Sequence, residues 1–333
     1  MLNKPKILIT GASGFLGQYV VTQALNQGYR VRAISRSVHN SLWDISEQLE
    51  VVSVDLLNQD SIIQNLSGID VVIHLAASKT SDPNQQFNQT VKSTDNLLAA
   101  MKIIGIKRLI AISSFSVFDY FNIPIGTTID EHSPLESNPK QRDVYAQMKL
   151  KQEELFCEFQ NQFGGQVTVL RPGMIYGKNN LWSARLGIKK GDNIWGFIDS
   201  SAQLPLIYVE NCADGIILAI ESEASVNQII NLVDDNLVEQ SVYLNQILPY
   251  LQVKPKIIKI DWSLVNLMAN LASQTNKIFF QGQKSLPGIF SPPSLQARFK
   301  PLKYINAFAK KTLNWQPQYN LETALERIVE LSK

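Results

Sequence analysis

The sequence predicts an α/β protein built on a doubly wound parallel sheet (Rossmann), with a smaller, interleaved lobe toward the C-terminus. Three observations predict it. The first two thirds of the chain alternate short apolar, β-rich runs with longer segments of helical spacing, the pattern of a parallel sheet covered on both faces. The first apolar run ends in a glycine turn that opens a helix. Finally, 333 residues, 45% of them hydrophobic, can bury a core large enough for one big domain or two lobes.

Taken in order, the expected strands are Lys6–Thr10, Arg30–Ser35, 51–55, 70–76, 108–113 and 166–171, each apolar enough to be buried on both sides. Between them Phe15–Asn26, 91–104 and Val144–Phe163 carry apolar residues at helical spacing, and Gly28, Gly105 and Gly164 follow as C-terminal stops. After Arg171 the texture changes. Residues 172–205 are rich in glycine, aromatics and asparagine, a strand-like run returns at 226–233, and from Val253 onward the chain reads as helical and locally basic, closing with the amphipathic 321–331. The expected division is a dinucleotide-binding domain over 1–175, with 205–235 returning to its sheet, and a lobe over 176–333 that is mostly substrate-binding.

Bulk composition narrows the function. Lys and Arg number 31 against 29 Asp and Glu, a net charge of +2, so no broad positive field invites nucleic acid and the expected partner is a small molecule. The two cysteines, Cys157 and Cys212, are far apart and form no CxxC, which argues against a disulfide framework or a structural zinc and suits a reducing, cytoplasmic setting; no metal site is expected. The N-terminal apolar run is too short for a signal peptide. The most apolar stretch, Trp262–Phe280, is interrupted by Asn266, Asn270, Ser273, Gln274 and Lys277, so no integral membrane segment is expected. It reads as a helix packed on the body, with a peripheral membrane contact left open.

The glycine turn is Gly11-Ala12-Ser13-Gly14-Phe15-Leu16-Gly17, a GxxGxxG between strand and helix. Glycines there allow a tight turn and close approach of backbone to a diphosphate, which the helix N-terminus then faces. At the end of the second strand stand Ser35 and Arg36. A carboxylate at that position would repel a 2′-phosphate, whereas a serine and a guanidinium donate to it, so NADP(H) is favoured with NAD(H) as the alternative. Arg36 could also, with Arg30 and Arg32, simply solvate a strand end.

Hydride transfer to a carbonyl leaves an alkoxide that must gain a proton, and a tyrosine of pKa ~10 is a weak acid for the task. A lysine ammonium at ~4 Å in an effective dielectric of ~20 is worth about 4 kcal/mol, enough to lower that pKa by about three units. Tyr145 and Lys149, at i and i+4, share a helical face after the fifth strand. Tyr250 and Lys254 repeat the spacing, but Pro255 follows at once and no serine-bearing strand precedes them, so that copy reads as coincidence.

The glycine turn, the Ser114-Phe115-Ser116 run and the Tyr145/Lys149 pair are joined by 171–177 (RPGMIYG), 208–211 (YVEN) and 313–317 (LNWQP). Over nearly its full length the chain thus resembles the extended (atypical) short-chain dehydrogenase/reductase family, the NAD-dependent epimerase/dehydratase superfamily, nearest to its 3β-hydroxysteroid dehydrogenase and dihydroflavonol reductase side. The resemblance implies an NAD(P)-dependent oxidoreductase. In it Tyr145 exchanges the proton, Lys149 assists and holds the ribose, and Ser114 orients the substrate oxygen, with Ser113 and Ser116 as alternatives. It further implies that Gly11, Ser13, Gly14, Phe15, Leu16 and Gly17 surround the diphosphate, that Asp55 and Leu56 bind adenine, and that Leu75, Ala76, Ala77 and Pro172 line the cofactor. His74 reads as a structural hydrogen-bonder, and His39 and His132 as loop residues.

The chain departs from the family pattern at three places. Phe118-Asp119 replaces the common Tyr-Gly, Thr90 stands where many members have a relay asparagine, and Met174 stands where many nucleotide-sugar enzymes have a substrate-binding asparagine. The last favours a larger, less charged substrate, for which Trp182, Trp195, Phe197, Tyr208 and Arg185 are pocket candidates. The rival readings are an NAD-dependent nucleotide-sugar epimerase or dehydratase and a nonenzymatic dinucleotide sensor. A homodimer through 91–104 and Val144–Phe163 is a further expectation of the resemblance.

Overall fold

The structure, a computed structural model, describes residues 4–36, 43, 46–191, 193–280, 286 and 288–331. His39 lies outside them. Along the chain run β1 (Lys6–Thr10), α1 (Phe15–Asn26), β2 (Arg30–Ser35), β3 (Leu49–Ser53), α2 (Gln59–Leu66), β4 (Val71–His74), α3 (Ser93–Ile104), β5 (Arg108–Ile112), α4 (Val144–Phe163) and β6 (Gln166–Pro172). There follow β7 (Met174–Tyr176), β8 (Gly187–Lys190), β9 (Ile194–Asp199), β10 (Leu206–Tyr208), α5 (Val209–Glu221), β11 (Ile229–Leu232) and α6 (Gln240–Ile247). The C-terminal part comprises β12 (Lys256–Asp261), α7 (Trp262–Phe280), α8 (Pro292–Phe299), α9 (Ala307–Leu313) and α10 (Leu321–Glu330).

Seven strands form one parallel sheet in the order β11-β6-β5-β4-β1-β2-β3. Its strands are apolar throughout because each face is covered. Ile7 and Ile9 of β1 join α1, α5 and Trp315 in one core layer, while Leu8 between them joins α2, α3 and α4 in the other. The chain order reverses between β1 and β4, and at such a switch point loops splay apart and leave a crevice at the carboxyl ends of the strands.

The second lobe is a three-stranded sheet, β12-β9-β8, over a core of Trp195, Phe197, Tyr208 and Tyr243. Two more strands, β7 and β10, pair in parallel and tie this lobe to the crevice.

Several sequence boundaries shift. The third strand begins and ends two residues earlier than 51–55, because Asp55 turns its carboxylate back to the backbone N–H of Leu57 (2.9 Å) and breaks the extended run. The helix expected over 91–104 runs straight only from Ser93, after a π-turn at Asn88–Lys92. The chain after Val253 is not wholly helical: Lys-Ile-Ile-Lys-Ile-Asp forms β12, recruited as an edge strand by the register Ile194↔Lys256 to Asp199↔Asp261.

Candidate active site

The glycine turn sits at the carboxyl end of β1 against the chain leaving β4. Gly11 has φ +68, and a Cβ built on it would meet the Ala76 nitrogen at 2.9 Å; one on Gly17 would meet the Gly11 oxygen at 2.2 Å. The turn is therefore closed to larger residues at both positions. Helix α1 has Gly14 as its N-cap, with no side chain capping its first N–H groups, which leaves them at the crevice mouth. These features fit a diphosphate.

The other residues named for cofactor binding lie at or just after the carboxyl ends of the sheet strands and at the start of α1. Ser35 is buried and its hydroxyl donates to Ser13 Oγ (3.0 Å), which ties the end of β2 to the glycine turn. Arg36 follows, exposed. Phe15 and Leu16 are half-buried on α1, Leu75 and Ala76 half-buried and Ala77 exposed after β4, and Pro172 buried at the end of β6. Leu56 is buried, and its carbonyl accepts from Asn96 Nδ2 (3.1 Å). The carboxylate of Asp55 is engaged in its own turn, as described above.

Helix α4 carries the proton-transfer candidates. Asp143 caps it by accepting from the Ala146 N–H (3.1 Å), and Gly164 ends it in the left-handed region. The Ser114 hydroxyl, at the end of the chain leaving β5, accepts from the Ser116 N–H (3.1 Å) and lies near enough to the Tyr145 phenol to pull its pKa down. Of the alternative serines, Ser113 donates instead to Glu153 and Ser116 Oγ is buried without a partner. Lys149 is buried, and its Nζ donates to the Ile112 carbonyl and to Gln152 Oε1, both at 2.8 Å; it lies 5.9 Å from the centre of the Tyr145 ring.

The electrostatics correct one expectation. Burial pushes the Tyr145 phenol up to about 12, against the downward pull of the Ser114 hydroxyl and with a smaller upward push from Asp143. Lys149 is pushed down to about 7, first by burial and then by the charge of Lys79, with Glu153 opposing. A lysine that holds its proton only up to near neutrality, and whose Nζ is bonded elsewhere, does not acidify the phenol. Desolvation outweighs the pair attraction here.

Residues that the sequence reading passed over complete the site. Gln152 is fully buried. It accepts from Lys149 and donates to Thr94 Oγ1 (2.7 Å), while His74 bonds both Thr94 Oγ1 (2.8 Å) and Thr10 Oγ1 (2.7 Å). An unbroken polar chain thus runs from the end of β1 to the lysine, and burial holds His74 neutral with a pKa of about 3, in keeping with a structural role. Thr90 does not reach the lysine: its hydroxyl accepts from the Ser78 N–H (2.9 Å). The signal for Gln152 was its place at i+7 from Tyr145 on the same face. Lys79, in the loop after β4, puts its Nζ 5.5 Å from the Tyr145 ring centre, and its proximity to β4 alone gave no signal.

Of the pocket candidates, Trp195, Phe197 and Tyr208 belong to the core of the second lobe. Arg185 remains available, its guanidinium 3.2 Å from the Tyr120 hydroxyl. The second Tyr-Lys copy is not a helical pair: Tyr250 ends a single turn, Leu248–Tyr250.

A family model described as the NAD dependent epimerase/dehydratase family matches residues 7–232. The chain is 25% identical to 3beta-hydroxysteroid-dehydrogenase/decarboxylase isoform 1 of Arabidopsis thaliana, over 97% of this chain and 78% of that protein. It is 33% identical to 3 beta-hydroxysteroid dehydrogenase/Delta 5-->4-isomerase of Mycobacterium tuberculosis, over 64% of this chain and 60% of that protein. Among solved structures, UDP-glucuronic acid 4-epimerase from Bacillus cereus in complex with NAD superposes with a TM-score of 0.70 at 20% identity, covering 98% of this chain and 100% of that one. The chain belongs to the NAD dependent epimerase/dehydratase family, within the extended short-chain dehydrogenase/reductase group of NAD(P)-dependent enzymes.

Proposed function

We propose that this enzyme transfers a hydride between NADP(H) and the carbonyl or secondary alcohol of a partly apolar, ring-bearing substrate, with Ser114, Tyr145 and Lys149 as its acid-base group. The observation that carries the reading is the placing of the buried Lys149 amine 5.9 Å from the Tyr145 ring, with Ser114 close to the phenol, at the carboxyl ends of the strands. The nicotinamide, when bound, supplies or takes the hydride. Ser114 Oγ orients the substrate oxygen. The phenol, raised to about 12, is protonated at neutral pH, the form needed to give a proton to a developing alkoxide. Lys149, buried beside the ring and anchored to the Ile112 carbonyl and Gln152, holds the positive side of the site and the ribose.

The preference for NADP(H) is supported by the absence of a carboxylate at the end of β2, where Ser35 and the exposed Arg36 stand. The apolar substrate is supported by Met174 and by the steroid dehydrogenases among the relatives. We assign 176–333 mostly to substrate binding and 1–175 to the dinucleotide. A homodimer through α3 and α4 fits Ile103 and Ile104, exposed at the end of α3, and a cytoplasmic setting fits two free thiols.

A second reading, nucleotide-sugar epimerisation, draws on one observation: Arg142, Arg185 and Arg298 gather around Tyr120 and Asp143, near the start of α4. One experiment separates the two. The purified enzyme is titrated with NADPH and NADH, then given 3-ketosteroids, 3β-hydroxysteroids and UDP-sugars with the preferred cofactor. Net change in reduced cofactor with a steroid, and tighter binding of NADPH, support the first reading. Tightly retained NAD with UDP-sugar turnover and no net cofactor change overturns it.

A further inference from the structure

Helix α7 is apolar on more of its surface than the protein covers. Val265 and Ala269 face inward, packing with Ile198, Leu295 and Phe299. On an adjoining arc of about 120°, at about 100° per residue, lie Leu264, Leu267, Met268, Leu271, Ile278 and Phe279, with Thr275 among them, its hydroxyl turned back to the Leu271 carbonyl (2.9 Å). The six apolar residues are between 46% and 73% exposed. Ser263, Asn266, Asn270, Ser273 and Lys277 take the rest of the circumference. Singly exposed apolar residues are ordinary, but a stripe of six along one helix is not.

The sheet beside α7 extends the surface. Pairing puts Ile194, Gly196 and Ile198 of β9 on one face with Lys256, Ile258 and Ile260 of β12, and with Ile188 and Lys190 of β8. This is the face on which α7 packs, since Ile198 clusters with Val265 and Ala269. Away from the helix it leaves Ile188, Ile194 and Ile258 exposed at 43%, 38% and 47%, with the exposed Lys190 and Lys256 flanking Ile194.

Charge identifies the occupant. Residues 251–280 carry four exposed lysines, Lys254, Lys256, Lys259 and Lys277, and a single acid, Asp261, in a chain whose net charge is only +2. Asp261 is turned to cap α7, accepting from the Ser263 and Leu264 N–H groups at 2.8 and 3.2 Å, and its strand position directs it away from the isoleucine face. Among the described residues no helix is long and apolar enough to cross a membrane. An apolar stripe with basic residues beside it, on a helix that cannot span, is the arrangement of an in-plane interfacial anchor.

We propose that α7 and the Ile188/Ile194/Ile258 face form a docking surface for an anionic phospholipid bilayer, with the stripe in the acyl boundary and Lys190 and Lys256 at the headgroups. The test is co-sedimentation of the full chain with phosphatidylcholine vesicles with and without phosphatidylglycerol, at low and high salt, with light scattering to follow the oligomeric state. The expected result is pelleting with the anionic vesicles that weakens with salt. Leu267→Asp with Leu271→Asp should abolish it. Lys190→Glu with Lys256→Glu should weaken it about tenfold or more. Both double variants should keep dinucleotide binding and the wild-type melting midpoint, because the altered side chains face outward. The proposal is overturned if the wild-type chain pellets with neither vesicle, if the double variants pellet like wild type, or if Leu267 and Leu271 prove to hold copies of the chain together.

Discussion

Lys149 sits in a buried place inhospitable to an ammonium, and the proposed chemistry turns on it. Its pKa falls from the ordinary 10.5 to about 7 in the folded chain. Between those values the unfolded chain holds a proton that the folded one lacks, so stability rises with pH through that window, by about 1.4 kcal/mol per pH unit for a full proton. Replacing Lys149 with Met should flatten this rise, as read from denaturant midpoints between pH 7 and pH 10, while hydride transfer is lost. An unchanged slope would mean that the amine is not desolvated. Gln152 acts through that amine: Gln152→Ala removes a hydrogen bond to a charged group, worth about 1.5–3 kcal/mol. Turnover should fall about tenfold, and the limb of the pH–rate profile that reports Lys149 should move to lower pH. A fall in turnover with no movement of that limb would make Gln152 merely structural.

At the scale of elements, the glycine turn and α4 place these side chains, and both were legible in the sequence because local chemistry decides them. Gly11 and Gly17 are forced by backbone contacts under 3 Å, and α4 starts and stops where Asp143 and Gly164 say it should. Gly11→Ala should therefore abolish dinucleotide binding in a fluorescence titration, since the new methyl must displace the Ala76 backbone; binding within threefold of wild type would contradict the geometry. What was not legible depends on distant partners. A KIIKID run becomes β12 only because β9 offers an edge, and Trp195 and Phe197 enter the core instead of the pocket because β8, β9 and β12 close over them. The direction of the Tyr145 shift was misread for a related reason. Spacing shows that two groups share a face, but the depth at which they are buried is a property of the assembled sheet.

The whole molecule is held in register by a few buried polar junctions. Asn211, on α5, donates to Asp234 and to the Tyr319 carbonyl, both at 2.8 Å, and accepts from the Gln318 and Tyr319 N–H groups, so one side chain joins the chain leaving β11, α5 and the C-terminal turn. Asn211→Ala should cost about 2–4 kcal/mol by leaving these groups unsatisfied, measured by urea unfolding; a cost under 0.5 kcal/mol would show that water replaces it freely. With that frame rigid, the crevice at the switch point keeps Ser114, Tyr145 and Lys149 beside the glycine turn, and the central claim is that these residues exchange the proton of a dinucleotide-dependent oxidoreduction. The most direct test is Tyr145→Phe, compared with wild type in turnover of an identified carbonyl or alcohol substrate and in dinucleotide affinity. The account predicts a loss of turnover of about a hundredfold or more with affinity unchanged. Turnover within twofold of wild type would contradict it.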